Sequence, residues 1–163
     1  MTKKSVWIVF FIATVVLLAL DLWLKHWAAV NLDGQPACVL IPGVLGLSYY
    51  ENPGAFFGFL GGLDAARWLL SALKIAILGG ILWYYNRLPL QKRLWLIRVP
   101  LILIFVGGLG NLIDRVTLGI VRDMLEFLFV RFAIFNLADV YVTVGVFSLI
   151  FIGLFIVKDF PAP

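Results

Sequence analysis

The apolar residues of the chain fall into four long hydrophobic runs. The runs cover about residues 6–27, 68–85, 99–113 and 137–157. A helix needs roughly 20 mostly apolar residues to cross the hydrocarbon core of a bilayer. The third run is short, but residues 94–97 extend it if Arg98 snorkels to the headgroups. The pattern therefore predicts four membrane-spanning helices.

Two more polar segments, 31–67 and 114–135, connect these runs. The first holds β-prone stretches at 38–41 and 45–50 between prolines and glycines, which predicts a small strand-and-turn cap on the membrane surface. The second mixes charges with large apolar residues, which indicates partly amphipathic interfacial structure. We therefore expect one integral membrane domain over residues 1–163, all-α apart from a small β element.

Composition supports this class. The 163 residues are 63% hydrophobic and 13% charged, and the mean hydropathy is +1.06. Soluble domains average ~45–50% apolar and ~25% charged residues, so a soluble globular domain and a disordered chain are both excluded. One cysteine and one histidine are too few for a structural zinc site or a disulfide framework. We expect no metal and no other cofactor.

The positive charges predict an orientation. With the amino terminus inside, the cytoplasmic side carries a net +6 and the remainder a net −2, which together make the chain's +4. Short cytoplasmic loops are enriched in Lys and Arg, so both termini are expected in the cytoplasm. The basic excess then indicates contact with anionic membrane lipids and no nucleic acid.

Three of the predicted spans carry a carboxylate at the same height. At ~1.5 Å of rise per residue, Asp21 lies about 25 Å beyond Lys4, Asp114 about 24 Å beyond Arg98, and Asp139 about 28 Å before Lys158. The hydrocarbon core is ~30 Å thick. Ionisable groups at membrane depth usually face a bundle interior or a wet cavity. A polar site at the outer membrane face is the expected result.

Other polar residues share helical faces with these carboxylates. Asn111, Asp114 and Arg115 stand at i, i+3 and i+4, and Asn136 and Asp139 at i and i+3. Close backbone approach between spans is predicted at three nearby glycines, Gly107, Gly108 and Gly110.

Carboxylates are the reactive groups present in number. Two of them sharing one proton can activate water, because like charges at close range separate their pKa values. For Asp123 and Asp139 the alternative is a salt bridge to Arg115 or Arg122, and spacing alone leaves both interpretations open.

Three other motifs favour ordinary structural roles. Ser71 and Lys74 match S-x-x-K inside the second run, where a helix-bonded serine and a snorkelling lysine are the simpler interpretation. His26 is interpreted as an interfacial residue, and Cys38 as a plain external thiol.

Two classes without enzymatic activity compete with a hydrolase. One is a small ion-coupled transporter or channel subunit, and the other is a scaffold whose polar layer joins helices. A transporter needs polar groups near the membrane midplane. The inner halves of these spans hold almost none besides Lys74, which favours chemistry at the outer face.

Five blocks, in order, resemble the bacterial lipoprotein signal peptidase (signal peptidase II) family. They are Asp21-Leu22-Trp23-Leu24-Lys25, Asn52-Pro53-Gly54-Ala55-Phe56-Phe57, Gly107-Gly108-Leu109-Gly110-Asn111-Leu112-Ile113-Asp114-Arg115, Val121-Arg122-Asp123-Met124, and Phe135-Asn136-Leu137-Ala138-Asp139. The resemblance extends from Asp21 to Gly145. It implies a bundle of four transmembrane helices with an external β-cradle and an interfacial helix.

The resemblance also implies an activity, that of an intramembrane aspartyl endopeptidase with Asp123 and Asp139 as its catalytic pair. Its substrate is a prolipoprotein whose cysteine already carries diacylglycerol, cut just before that cysteine, and its inhibitor is the cyclic peptide globomycin. Supporting roles at the site are expected for Asp21, Lys25, Asn52, Gly54, Asn111, Asp114, Arg115 and Asn136. The implied location is the bacterial cytoplasmic membrane, with the active site near its outer face.

The chain departs from the family pattern at several positions. Leu22 and Leu24 stand where a glutamine and a hydroxyl residue are usual, and Phe56 replaces an alanine. Arg122 and Met124 flank Asp123 where an apolar residue and a phenylalanine are common. The positive charge of Arg122 is expected to favour ionised Asp123 and to move the working pH range downward.

Overall fold

The four hydrophobic runs form four helices in the computed structural model, which describes residues 2–54 and 64–156. In chain order these are α1 (Lys3–Asn31), α2 (Asp64–Arg87), α3 (Trp95–Leu118) and α4 (Leu137–Phe155). A 3-10 turn at Lys92–Leu94 leads into α3. Four helices of the described part are long and apolar enough to cross a membrane, as the sequence predicts.

Helix α3 is longer than the sequence predicts. The run was expected to end at residue 113, but the helix continues to Leu118 and ends at Gly119, whose φ is +80° and whose N–H donates to the Arg115 carbonyl over 3.2 Å. A left-handed glycine is a common helix stop. Asp114 and Arg115, expected at the start of an external segment, therefore lie inside the helix, where both are buried.

Arg98 does not reach outward as expected. Its side chain is 1% exposed, and its guanidinium donates to the carbonyls of Tyr85, Leu88 and Pro89 over 2.8–3.2 Å. Those carbonyls lie at the end of α2, where a helix leaves backbone oxygens without partners. Arg98, on α3, thus caps the end of α2.

Two segments that connect the helices together form a three-stranded antiparallel sheet. Its strands are β1 (Cys38–Ile41), β2 (Leu45–Asn52) and β3 (Val121–Phe127), in the order β1-β2-β3. The hairpin β1-β2 confirms the predicted strand-and-turn cap. The third strand corrects the prediction of amphipathic interfacial structure in 114–135, and the described part of that segment holds no helix after α3. Residues 55–63, which include 55–57 of the second sequence block, lie outside the described residues.

The pairing of β2 with β3 fixes the position of the end of β2. Tyr50 pairs with Asp123 and Asn52 with Val121, so the end of β2 lies beside the start of β3. The chain before α4 is held to the same strand, because the N–H groups of Met124 and Leu125 donate to the Phe135 carbonyl over 3.0 and 2.8 Å. The segment between β3 and α4 therefore returns to β3, so that its two ends lie side by side.

Helix α3 packs against each of the other three helices. A Cβ atom at Gly107 would collide with the carbonyl oxygen of Ala138 in α4, and one at Gly110 would collide with the Asp21 carboxylate in α1. The predicted close approach of backbones is confirmed at Gly107, whereas Gly108 and Gly110 meet side chains of neighbouring helices. The hydrophobic core includes the rings of Phe10, Tyr85 and Phe105, which pack against one another in tilted pairs.

Candidate active site

Lys25 links two helices at the centre of a buried polar layer. Its ammonium lies 2.9 Å from the Asp21 carboxylate and 3.7 Å from that of Asp114, and it donates to Asn111 Oδ1 over 2.9 Å. Lys25, Asp21 and Asp114 are all fully buried. Buried charges persist when they are paired in this way.

The same layer reaches the first turn of α4. Asp21 Oδ1 accepts the backbone N–H of Ala138 over 2.9 Å, which ties the first helix to the last. The residue spacing along the spans predicted that Asp21, Asp114 and Asp139 lie at one height. In the structure the three residues belong to one network of hydrogen bonds and ion pairs.

Asp139 is fixed by a capping box at the start of α4. Asn136 is the N-cap; its Oδ1 accepts the Asp139 N–H over 3.0 Å, and Asp139 Oδ2 accepts the Asn136 N–H over 3.1 Å. The other carboxylate oxygen accepts Asn111 Nδ2 over 2.7 Å. Such reciprocal bonds satisfy two backbone donors of a helix start, so helix formation itself positions this carboxylate.

Asp123 lies on β3 and is 1% exposed. Its Oδ1 accepts Asn136 Nδ2 over 2.6 Å, and its Oδ2 accepts Asn52 Nδ2 over 3.0 Å. Asn52 is held in turn by the Gly54 N–H, which donates to its Oδ1 over 2.9 Å. Asn136 therefore bridges the two carboxylates, touching Asp123 with its side chain and Asp139 with its backbone.

Three asparagines present their NH2 groups to this pair because their oxygens are occupied by groups that only donate. The Asn52 oxygen faces the Gly54 N–H, the Asn136 oxygen faces the Asp139 N–H, and the Asn111 oxygen faces the Lys25 ammonium. An ammonium or a backbone N–H cannot accept a hydrogen bond. Each amide therefore has one orientation, with its donors toward the carboxylates.

Asp123 and Asp139 line the same two cavities. One, of about 520 Å³, has a wall of Phe127, Phe132 and Phe135. The other, of about 490 Å³, has a polar wall that includes Asn52, Gly54, Asn111 and Arg115. Each cavity is larger than the ~30 Å³ of liquid that one water molecule occupies. The cavities therefore have room for water and for part of a larger molecule beside the two carboxylates.

Burial raises the pKa of the Asp123 carboxyl to about 6; the charge of Asp139 adds to the rise, while the hydrogen bonds from Asn52 and Asn136 oppose it. The pKa of Asp123 is therefore raised, and not lowered as expected from the charge of Arg122. Arg122 and Asp123 are neighbours on a strand, and successive side chains of a strand point to opposite faces. The guanidinium of Arg122 pairs with a different carboxylate.

The partner of Arg122 is Asp114. Its guanidinium lies 2.6 Å from Asp114 Oδ1, and its backbone N–H donates to Asp114 Oδ2 over 3.1 Å. The alternative in which Arg122 forms a salt bridge with Asp123 or Asp139 is therefore wrong. Arg115 lies elsewhere in the site, with its guanidinium against Gly54, where a Cβ atom would collide with it.

Lys74 is the residue at the site that sequence reasoning missed. It was interpreted as a snorkelling lysine, but it lines a cavity with both Asp123 and Asp139. The signal available in the sequence was a lone cation inside a span. His26 and Cys38 are exposed, and Ser71 is buried in α2.

The fold and its buried polar layer define a multi-pass membrane enzyme. Two solved structures described as bacterial membrane enzymes share the fold. One has a TM-score of 0.79 at 27% identity and covers 91% of this chain and 94% of its own; the other has a TM-score of 0.75 at 26% identity, covering 95% and 94%.

Sequence comparison gives the family. The model of signal peptidase (SPase) II matches residues 13–155. The lipoprotein signal peptidase of Streptococcus thermophilus (strain CNRZ 1066) is 44% identical over 86% of this chain and 89% of its own length. That of Streptococcus agalactiae is 38% identical, over 85% and 86%. The chain belongs to the signal peptidase II family, and it is a protease.

Proposed function

We propose that this protein removes the signal peptide from diacylglyceryl-modified prolipoproteins, with Asp123 and Asp139 as the catalytic pair. The observation that carries this proposal is that both carboxylates line the same two cavities while amides orient them. Membership of the signal peptidase II family supports the substrate class. The transporter or channel alternative is not favoured.

The proposed reaction uses the different surroundings of the two acids. Asp123, whose pKa is raised to about 6, holds the shared proton and donates it to the scissile carbonyl. Asp139 lies in the first turn of α4, where a helix favours negative charge, and takes a proton from the attacking water. The resulting gem-diol collapses as a proton passes to the leaving amine.

The surrounding side chains keep this geometry during the reaction. The amides of Asn52, Asn111 and Asn136 hold the carboxylates through their oxygens. Positioning of this kind matters because misplacement by about 1 Å can cost 10²-fold in rate. Asp21, Lys25 and Asp114 support the site from behind, since they hold Asn111 and the start of α4.

We further propose the bacterial cytoplasmic membrane as the location, with both termini in the cytoplasm and the site near the outer face. The acyl chains of a lipidated substrate hold its cleavage site close to the interface. An enzyme with its carboxylates at that depth meets the bond without extracting the substrate. Inhibition by globomycin is expected from the family resemblance.

The test is processing of a diacylglyceryl-modified prolipoprotein by wild-type, Asp123→Asn and Asp139→Asn proteins. Each variant is expected to lower cleavage by about 10²-fold or more, the usual contribution of general acid–base catalysis, while still inserting into membranes. Asp33→Asn, the same change at an exposed position, serves as the control and should cleave normally. Normal cleavage by both site variants would exclude the aspartyl mechanism.

A further inference from the structure

Lys74 is a cation inside a membrane-spanning helix. It lies thirteen residues before Arg87, the last residue of α2, which corresponds to about 20 Å along the axis. Its side chain is half-buried, and no hydrogen bond or ion pair joins it to any side chain in 2–54 or 68–156. An ionisable group at such depth normally faces a cavity and has a function.

The cavities that Lys74 faces are those of the carboxylates. It lines the polar cavity of about 490 Å³ together with Asp123 and Asp139. It also lines a third cavity of about 340 Å³, whose wall includes Asn111 and Asp139. The charges of Asp139 and Asp123 both act on the Lys74 ammonium. Lys74 therefore lines two cavities, one that reaches both carboxylates of the proposed catalytic pair and one that reaches Asp139.

The other charges around the pair are differently placed. Lys25, on α1, is bound by Asp21 and Asp114, and Arg122, on β3, is bound by Asp114. Arg115, on α3, lines the polar cavity with its guanidinium against Gly54. Beyond these, Asn52 on β2 and Asn136 at the start of α4 contribute only neutral amides. Lys25 and Arg115 also act electrostatically on Asp123. The positive charge of Lys74, on α2, acts on both Asp123 and Asp139 from the wall of the polar cavity.

We infer that Lys74 acts through the two carboxylates: its ammonium favours negative charge on the pair and sets the pH range in which the pair holds a single proton. The inference rests on the proposed aspartyl mechanism. It gives to Lys74 the role that sequence reasoning assigned to Arg122. Lys74 is not itself catalytic, since the reaction needs no bond to it.

The experiment compares the pH profile of kcat/KM for wild-type, Lys74→Met and Lys74→Arg enzymes. Loss of the charge is expected to move both limbs of the profile upward by about one pH unit, because ionisation of the pair becomes harder. Lys74→Arg keeps the charge and should follow the wild-type profile. Lys92→Met removes an exposed lysine by the same substitution and should leave the profile in place.

The outcomes separate this inference from the function on which it rests. A uniform fall in kcat/KM without displacement of either limb would overturn it, as would a displaced profile for Lys74→Arg. Lys74→Gln, which keeps a polar side chain, gives the same comparison if Lys74→Met is not recovered folded. If Asp123→Asn and Asp139→Asn cleave normally, the aspartyl mechanism fails, whereas inactive Asp variants with an unmoved Lys74→Met profile reject only the role of Lys74.

Discussion

Each oxygen of the Asp123 and Asp139 carboxylates accepts a hydrogen bond from an N–H group of an asparagine. Neutral donors hold a carboxylate in place without forming an ion pair with it. Charge-assisted bonds of this kind are stronger than bonds between neutral groups. The pair is thereby oriented by neutral amides, while the charged side chains of Lys74 and Arg115 line the same cavity.

The raised pKa of Asp123 predicts the pH dependence of cleavage. We expect kcat/KM to fall as pH rises through about 6, since the proton held at Asp123 is lost there. The same shift means that this residue contributes stability below its ordinary pKa of 3.8, which is lost as pH rises through about 6. Initial rates in detergent micelles with a lipidated peptide measure the profile. A rate that stays constant from pH 6 to well above 7 would contradict the expectation.

Gly54 predicts a defect that backbone strain alone does not cause. Gly54 and Gly43 have φ angles of +75° and +71°, but a Cβ atom would collide with the Arg115 guanidinium only at Gly54 and would meet open space at Gly43. We expect Gly54→Ala to lower kcat/KM by about tenfold or more through displacement of the site. Gly43→Ala carries the same strain as a matched control and should remain active. Equal losses in both variants would assign the effect to strain.

Residue spacing predicted part of this site. Helical rise placed Asp21, Asp114 and Asp139 at one height because depth in a span is proportional to residue number. The contact of Asn52 with Asp123 depends on strand register across 71 residues, which spacing does not give, and Asn52 was identified only through family resemblance. Arg122 was expected to act on Asp123, its neighbour in sequence, but successive side chains of a strand point to opposite faces, and Arg122 pairs with Asp114.

At the scale of elements, apolar run length predicted the four helices, and β-prone stretches predicted the β1-β2 hairpin. Strand β3 was missed because its charged and apolar residues resemble an interfacial segment. Only its pairing with β2 and with Phe135 shows that Asp123 and Met124 belong inside. The end of α3 was misplaced because Asp114 and Arg115 are polar, although partners in other elements bury them.

Helix packing at α3 predicts a stability difference between two glycines. A Cβ atom at Gly110 would collide with the Asp21 carboxylate, whereas one at Gly79 on α2 meets nothing within 4 Å. We expect Gly110→Ala to destabilise the fold by about 1–3 kcal/mol, the usual cost of overpacking. Gly79→Ala should be neutral or slightly stabilising, because alanine favours helix. Thermal unfolding in detergent measures both, and equal midpoints would contradict the close approach of α1 and α3.

At the scale of the whole molecule, the proposed orientation can be tested with the chain's single cysteine. Cys38 is exposed on β1, on the side proposed to face outward. A membrane-impermeant maleimide is expected to label it in intact cells. In a Cys38→Ser background, Lys92→Cys places the thiol on the side proposed to be cytoplasmic and should react only after permeabilisation. The reverse labelling pattern would invert the orientation.

The hydrogen bond from the Ala138 N–H to Asp21 joins the first helix to the last. Spans enter the bilayer in chain order during synthesis. Asp21 therefore enters it before the Ala138 N–H that will donate to it. A nascent polypeptide that has inserted only three spans has not yet placed Asn136 and Asp139 beside α3. On the proposed mechanism, the catalytic pair is therefore completed only when the last span has inserted.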